Sequence, residues 1–290
     1  MDPVLETKIS RYRHVTQTAR GAPGSDGAGV RLTRMLGTNT INMLDPFLML
    51  DEFRSDEPGD YLAGFPDHPH RGFDTVTYML AGSMRHKDNH GHEGVIKPGG
   101  IQWMRAGRGI VHSEMPEQEA GLMWGFQLWI NLPGDQKMSP PEYQEFDKDE
   151  IPEENRANGA VIRVISGTTL LGTTGPVTNI PTTPLYLDME LPEGIEIEQP
   201  LPANANAFIY VYSGMTDVLA DEQSSRLEQG QLGVLGSGDG VHLRGAADRT
   251  RLLLLAARPL REPVAWSGPF VMNTRAEILQ AFQDYHNGLF

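Results

Sequence analysis

Along most of the chain, short apolar runs alternate with clusters of Gly, Pro, Asn and Asp. "TVTYMLAG", "GLMWGFQLWINLPG", "GAVIRVISG", "PLYLDMELPEG", "AFIYVYSG" and "TRLLLLAARP" are rich in Val, Ile, Leu, Tyr and Phe and are bounded by turn formers. Regularly spaced short strands of this kind predict an all-β sandwich or barrel. Helical periodicity is confined to the tail. "NTRAEILQAFQDYHNG" carries Thr274 with Glu277 three residues on, the reciprocal capping pattern. Ile278, Phe282 and Tyr285 then recur at helical spacing, and Gly288 closes the run. One C-terminal helix, packed by its Ile/Phe/Tyr face, is expected.

The pattern changes from Pro133 to Gly159, where "PGDQKMSPPEYQEFDKDEIPEENRANG" is acidic, polar and proline-rich and reads as a connector. The halves on either side share a strand rhythm, seen in "LAGSMRHKDNHGHEGVIKPGG" and "YSGMTDVLADEQSSRLEQGQLGVLGSGDG". A duplicated β-barrel explains this, as does shared turn chemistry alone. The expected division is a first barrel at 1–135, a connector at 136–160, and a second barrel with the helix at 161–290. A length of 290 residues suits two ordinary domains or one large one.

Composition narrows the chemistry. The chain contains no cysteine, which excludes disulfides, thiolate metal sites and a Cys nucleophile. Any metal is therefore held by nitrogen and oxygen. The formal net charge is -14, and no run of Lys and Arg concentrates into a face for phosphates, so direct nucleic-acid binding is not expected. No stretch is long and apolar enough to span a bilayer. The opening "MDPVLETKISRYRHVTQ" lacks the apolar segment of a signal peptide. A soluble cytoplasmic protein is expected.

Two of the nine histidines flank one proline in "DHPHRGFDT". Residues i and i+2 of a strand share a face, so His68 and His70 point together if Pro69 sits on an edge strand, where proline is tolerated. The same parity continues through Gly72, Asp74, Val76, Tyr78 and Leu80 and predicts Asp74 below the histidines. In "PGGIQWMRAGRGIVHSEMP", His112 and Glu114 form a second pair of like parity. Two such pairs on neighbouring strands converge on one point. Three imidazoles and a carboxylate leave positions of an octahedral metal open, whereas a closed structural zinc site is disfavoured. Fe(II) is the first choice, with Mn, Ni, Cu or Zn as alternatives. Asp74 is expected to orient an imidazole N–H rather than to serve as a fifth ligand. His86, His90 and His92 fall in a Gly/Asn/Asp-rich hairpin and read as a solvated loop. His14, His242 and His286 show no partner pattern.

At these residues the sequence resembles the pirin family of the cupin superfamily. "DPFLMLDEF", "FPDHPHRGFDTVTY", "PGGIQWMRAGRGIVHSEMP" and "GPFVMNT" carry the resemblance, which extends from about Ile41 to the C-terminus. It implies a bicupin: two face-to-face cupin (double-stranded β-helix) barrels with a C-terminal helix. It also implies one iron in the first barrel, held by the residues that match His68, His70, His112 and Glu114. Asp74 stands where many pirins carry Glu, and Gly100 where the turn usually has Asp. The second barrel, with His242 as its only histidine, resembles a barrel that has lost its metal.

The resemblance implies two functions. Some bacterial pirins resemble quercetin 2,3-dioxygenases, which open a flavonol with O2 and release CO. The substrate is then a small flavonol-like aromatic, Glu114 a ligand or general base, and Phe65 a stacking wall or ordinary rim packing. Other pirins are non-enzymatic iron-dependent regulators that bind a transcription factor or metabolic enzyme. "MRAGRG", with Arg105 and Arg108, then contributes a basic patch for a protein partner, or simply turn residues paired with local acids. A non-catalytic cupin with a vestigial site is the third reading.

Overall fold

The structure, a computed structural model, describes residues 9–221 and 223–290. Much of the N-terminal stretch considered above falls in residues 1–8, outside the described residues. Among the described residues no helix is long and apolar enough to cross a membrane. The chain forms two units. Each is an antiparallel barrel built from a seven-stranded and a four-stranded sheet.

In the first unit the seven-stranded sheet runs Glu142–Phe146, Ile101–Arg105, Phe73–Ala81, Met123–Asn131, Phe47–Ser55, Val30–Leu36 and Ala22–Asp26. The four-stranded sheet runs Phe65–His70, Ile110–Pro116, Met84–Asp88 and Glu93–Ile96. Phe53, Met79, Met84, Ile96 and Met123 pack together as part of the buried core. The second unit repeats the plan. Its large sheet runs Val15–Arg20, Gln231–Leu235, Asn206–Ser213, Arg249–Ala257, Leu185–Pro192, Val161–Ser166 and Glu153–Asn155; Glu196–Pro200, Gly240–Gly245, Met215–Leu219 and Ser225–Glu228 form the small one. The duplication expected from strand rhythm is thus a property of the topology. The inner cluster of the second unit is wholly aliphatic.

The division is not contiguous, unlike the boundaries expected from sequence. Residues up to Arg20 join the second unit, and Leu260–Phe290 join the first. Strand pairing explains the N-terminal exchange: Val15–Arg20 adds to the edge strand Gln231–Leu235. The C-terminal segment is fixed in the first unit by buried cations. Lys137 Nζ donates to Gly72 O at 2.7 Å, Asn131 Oδ1 at 2.6 Å and Val271 O at 2.9 Å. Arg71 Nη1 reaches Asp284 Oδ2 at 2.7 Å, and its guanidinium lies 4.3 Å from the Phe290 ring centre. The connector also carries structure, because Glu142–Phe146 pairs in the first unit and Glu153–Asn155 in the second.

The helix spans Arg275–His286, with both halves of the Thr274/Glu277 capping box formed. Its buried residues are Ile278 and Ala281. Phe282 and Tyr285 are half exposed rather than fully packed, although both rings meet Phe270.

Candidate metal centre

His68 and His70 lie on the edge strand Phe65–His70, so Pro69 sits where a missing N–H costs the ladder least. The neighbouring antiparallel strand Ile110–Pro116 places His112 directly opposite His68 and Ile110 opposite His70. A register shift between His112 and Glu114 then sets Glu114 opposite Phe65. The three imidazoles converge: one nitrogen from each of His68, His70 and His112 lies within 4.8 Å of the others. Glu114 is outside that triangle, and its Oε1 accepts a hydrogen bond from Thr77 Oγ1 at 2.8 Å.

The imidazoles are arranged as donors of lone pairs. His68 Nδ1 donates to Pro66 O at 2.8 Å, which leaves Nε2 as the basic nitrogen. The Pro269 carbonyl takes the ring N–H of His70, and among the described residues Nδ1 has no hydrogen-bond partner. His112 is buried, and among the described residues neither of its ring nitrogens has a hydrogen-bond partner. Burial holds both His70 and His112 well below the ordinary imidazole range, helped by repulsion among the histidines, so both rings are neutral at neutral pH. A buried, unbonded imidazole nitrogen costs free energy unless something accepts its lone pair. A cation coordinated by neutral imidazoles meets that need, and the residues present fit one metal ion.

The cluster opens on a cavity of about 630 Å³ whose lining includes His68, His70 and Glu114. Phe65 lines it, as expected. Trp129 and Trp266 line it too. The Trp129 ring is 5.1 Å from that of His70 and 5.9 Å from that of Trp266, so an aromatic wall runs away from the histidines. Trp266 comes from the C-terminal segment, which the expected domain boundaries assigned elsewhere.

Asp74 requires a correction, for it orients no imidazole. Its Oδ2 accepts from Trp103 Nε1 at 2.9 Å, and its Oδ1 lies 3.6 Å from Arg105 Nε. The strand parity carried from His70 to Asp74 fails at Arg71–Gly72. There the chain leaves the small sheet for the large one, and Gly72 takes φ +88°. A Cβ at Gly72 would stand 2.0 Å from Val271 O. Beyond this bend Thr77 and Met79 face the interior, and Asp74 faces the other way. Burial raises the Asp74 carboxyl to about 6.

His86 is also not solvated. It is buried on strand Met84–Asp88, with Nε2 2.9 Å from Glu145 Oε1. His90 and His92 are exposed, as expected. In the second unit His242 Nε2 lies 2.8 Å from Glu196 Oε2.

Sequence reading did not find a polar row that crosses the large sheet. Glu145, Gln102, Thr77, Gln127, Asp51 and Arg34 are successive register partners on adjacent strands and therefore share one face. Thr77 Oγ1 lies 2.6 Å from the Gln127 amide and 2.8 Å from Glu114. A hydroxyl has one proton, so both contacts hold when Gln127 presents its NH2 to Thr77 and Thr77 donates to Glu114. The available signal was a polar residue at an inward position of an otherwise apolar strand: Thr77 in "TVTYM" and Gln127 in "GFQLW".

Comparison with known proteins shows the family. The sequence profile of the Pirin family matches residues 29–130, and that of the Pirin C-terminal cupin domain matches residues 186–290. A pirin-like protein of Caulobacter vibrioides is 57% identical over 279 residues, covering 96% of this chain and 99% of that protein. Pirin of Homo sapiens is 44% identical over 277 residues, covering 95% and 93%. The crystal structure of a quercetin 2,3-dioxygenase from Acinetobacter baumannii superposes with a TM-score of 0.87 at 32% identity, covering 96% and 98%. The chain belongs to the pirin family and is a bicupin.

Proposed function

We propose that this protein is a mononuclear metal-dependent dioxygenase that opens quercetin-type flavonols with O2 and releases CO. The observation that carries the reading is the convergence of three neutral imidazoles beside Glu114 in an aromatic-walled cavity of about 630 Å³. His68, His70, His112 and Glu114 are the proposed ligands, with Fe(II) the first choice of metal. When bound, the metal supplies a Lewis acid for the flavonol 3-hydroxyl and its neighbouring carbonyl and a site for oxygen chemistry.

The protein's own residues do the rest. Phe65, Trp129 and Trp266 offer flat walls to a planar substrate and exclude water from its faces. Thr77 holds Glu114 by Oε1, which leaves the other carboxylate oxygen to bind the metal or to accept the proton of the flavonol hydroxyl. The similar quercetin 2,3-dioxygenase of Acinetobacter baumannii supports this chemistry. The rival reading, an iron-dependent regulator contacting a protein through Arg105 and Arg108, receives less support. The Arg105 side chain is 13% exposed and faces Asp74 at 3.6 Å and Glu142 at 3.3 Å.

The test is to incubate iron-loaded protein with quercetin in air while following flavonol absorbance and CO. Turnover that is lost in His70→Ala and Glu114→Ala is expected. Absence of turnover with Fe, Mn, Ni, Cu and Zn alike would refute the enzymatic reading.

A further inference from the structure

The polar row does not end at Glu114. Two strands beyond Thr77 it reaches Asp51, and one strand further Arg34, and both line the same cavity as the histidines. Arg34 grips Asp51 with two parallel bonds: Nε donates to Oδ1 at 2.8 Å and Nη2 to Oδ2 at 2.7 Å. Nη2 also reaches Asp26 Oδ2 at 3.2 Å. The side chains are graded in exposure, with Asp51 at 2%, Arg34 at 31% and Asp26 at 54%. Arg34 Nη1 takes no part in these bonds, and both Asp51 oxygens keep accepting capacity.

Fold stability gives little reason for such a pair. A buried ion pair gains little over an apolar pair of the same size. A row across the large sheet of the second unit shows the apolar solution: Val164, Leu187, Leu254 and Ile209 are successive partners, and all belong to its core. Strands are spaced about 4.8 Å apart, which puts Asp51 about 10 Å across the sheet from Thr77, the residue that touches Glu114. That is the span of two or three linked aromatic rings. Phe65 and Trp129 supply flat apolar surface in the same cavity.

We propose that Arg34 and Asp51 form a specificity subsite for phenolic hydroxyl groups on the substrate ring remote from the metal. The proposal rests on the flavonol-cleaving reading above. A phenol is both donor and acceptor. Its O–H donates to Asp51, and its oxygen accepts from Arg34 Nη1. A vicinal pair of hydroxyls extends the same pattern to Asp26 at the mouth. A ring without hydroxyls displaces water from this group and returns no hydrogen bond. A carboxylate-bearing ring meets two carboxylates and one guanidinium, a net repulsive set.

The test is anaerobic binding to the metal-loaded protein, read from quenching of tryptophan fluorescence. The ligands are quercetin, with two hydroxyls on the remote ring, kaempferol with one, and galangin with none. Wild type should bind quercetin on the order of tenfold to a hundredfold tighter than galangin, the worth of a hydrogen bond to a charged group, with kaempferol between. Asp51→Asn and the double variant Arg34→Met/Asp51→Leu should bring the quercetin-to-galangin ratio close to unity, the double variant by weakening quercetin and tightening galangin, whose ring no longer strips water from a charged pair. The double variant replaces the pair by apolar side chains, so it reports even if the single variant misfolds. A wild type without preference among the three ligands, or a preference that survives in a folded variant, overturns the subsite and leaves the flavonol reading standing. A wild type that binds none of the three overturns both.

Discussion

The strain on His112 leads to a prediction with opposite signs in two states of the protein. His112 is 1% exposed, and neither ring nitrogen has a hydrogen-bond partner. Each buried unsatisfied polar atom costs about 1–3 kcal/mol. His112→Leu removes both atoms at similar volume, and packing adjustments of that kind cost less than about 1.5 kcal/mol. Metal-free His112→Leu should therefore be at least as stable as metal-free wild type. Metal reverses the order. A ligand at a hundredfold its dissociation constant adds about 2.7 kcal/mol to the folded state. For a unit of this size each kcal/mol moves Tm by about 2–4 °C, so wild type should gain roughly 5–10 °C on loading. The variant, with one donor gone, should gain little. Differential scanning calorimetry on chelator-stripped and reloaded samples, with metal content measured on the same samples, reads both effects. The reasoning fails if the stripped variant melts well below stripped wild type, or if the variant keeps stoichiometric metal and the full shift.

Two further outcomes follow from the network around this centre. Thr77→Val keeps the shape of the side chain but removes the donor to Glu114; flavonol turnover should fall roughly tenfold or more, the worth of a hydrogen bond to a charged group, and unchanged turnover in folded, metal-loaded variant would sink the role. Asp74 is buried, and its carboxyl sits at about 6 rather than the ordinary 3.8, so between those pH values the folded chain holds a proton that the unfolded chain has released. Stability from this group is present at low pH and lost as pH rises through 6. Denaturation of wild type and Asp74→Asn from about pH 4 to about pH 7 should show the variant gaining about 2 kcal/mol relative to wild type, and a constant difference would refute the assignment.

How much of this was legible in the sequence depends on the range of the information involved. The convergence of His68, His70 and His112 was legible because i and i+2 spacing is local, and antiparallel pairing of two neighbouring strands brings like faces together. The helix was legible because its cap is local. Asp74 was misread because parity survives only within a strand, and Gly72 ends one strand and begins a different sheet. His86 was misread because Gly, Asn and Asp after it suggested a turn, whereas the turn begins only after Asp88. The seating of Trp266 in the cavity depends on Lys137 and Arg71 capturing a segment more than a hundred residues away in sequence. Local pattern carries no trace of such a contact.

The two barrels together show what local pattern can report about function. Both use seven and four antiparallel strands in matching order apart from one edge strand of the large sheet, so topology alone does not distinguish a reactive interior from an inert one. Interior chemistry does. Aliphatic side chains make up the inner cluster of the second unit, where burial is satisfied by packing. In the first unit Gln102, Thr77, Asp51 and Glu114 are all buried, and each burial opposes folding unless hydrogen bonds offset it. Those bonds join the residues across strands rather than along one, which is why no single stretch of sequence shows the row. A barrel that keeps polar groups where its twin keeps leucine gives up stability at each of them. The positions that do so, beside the converging histidines and along the cavity wall, are those that a metal and a hydroxylated aromatic ligand would use.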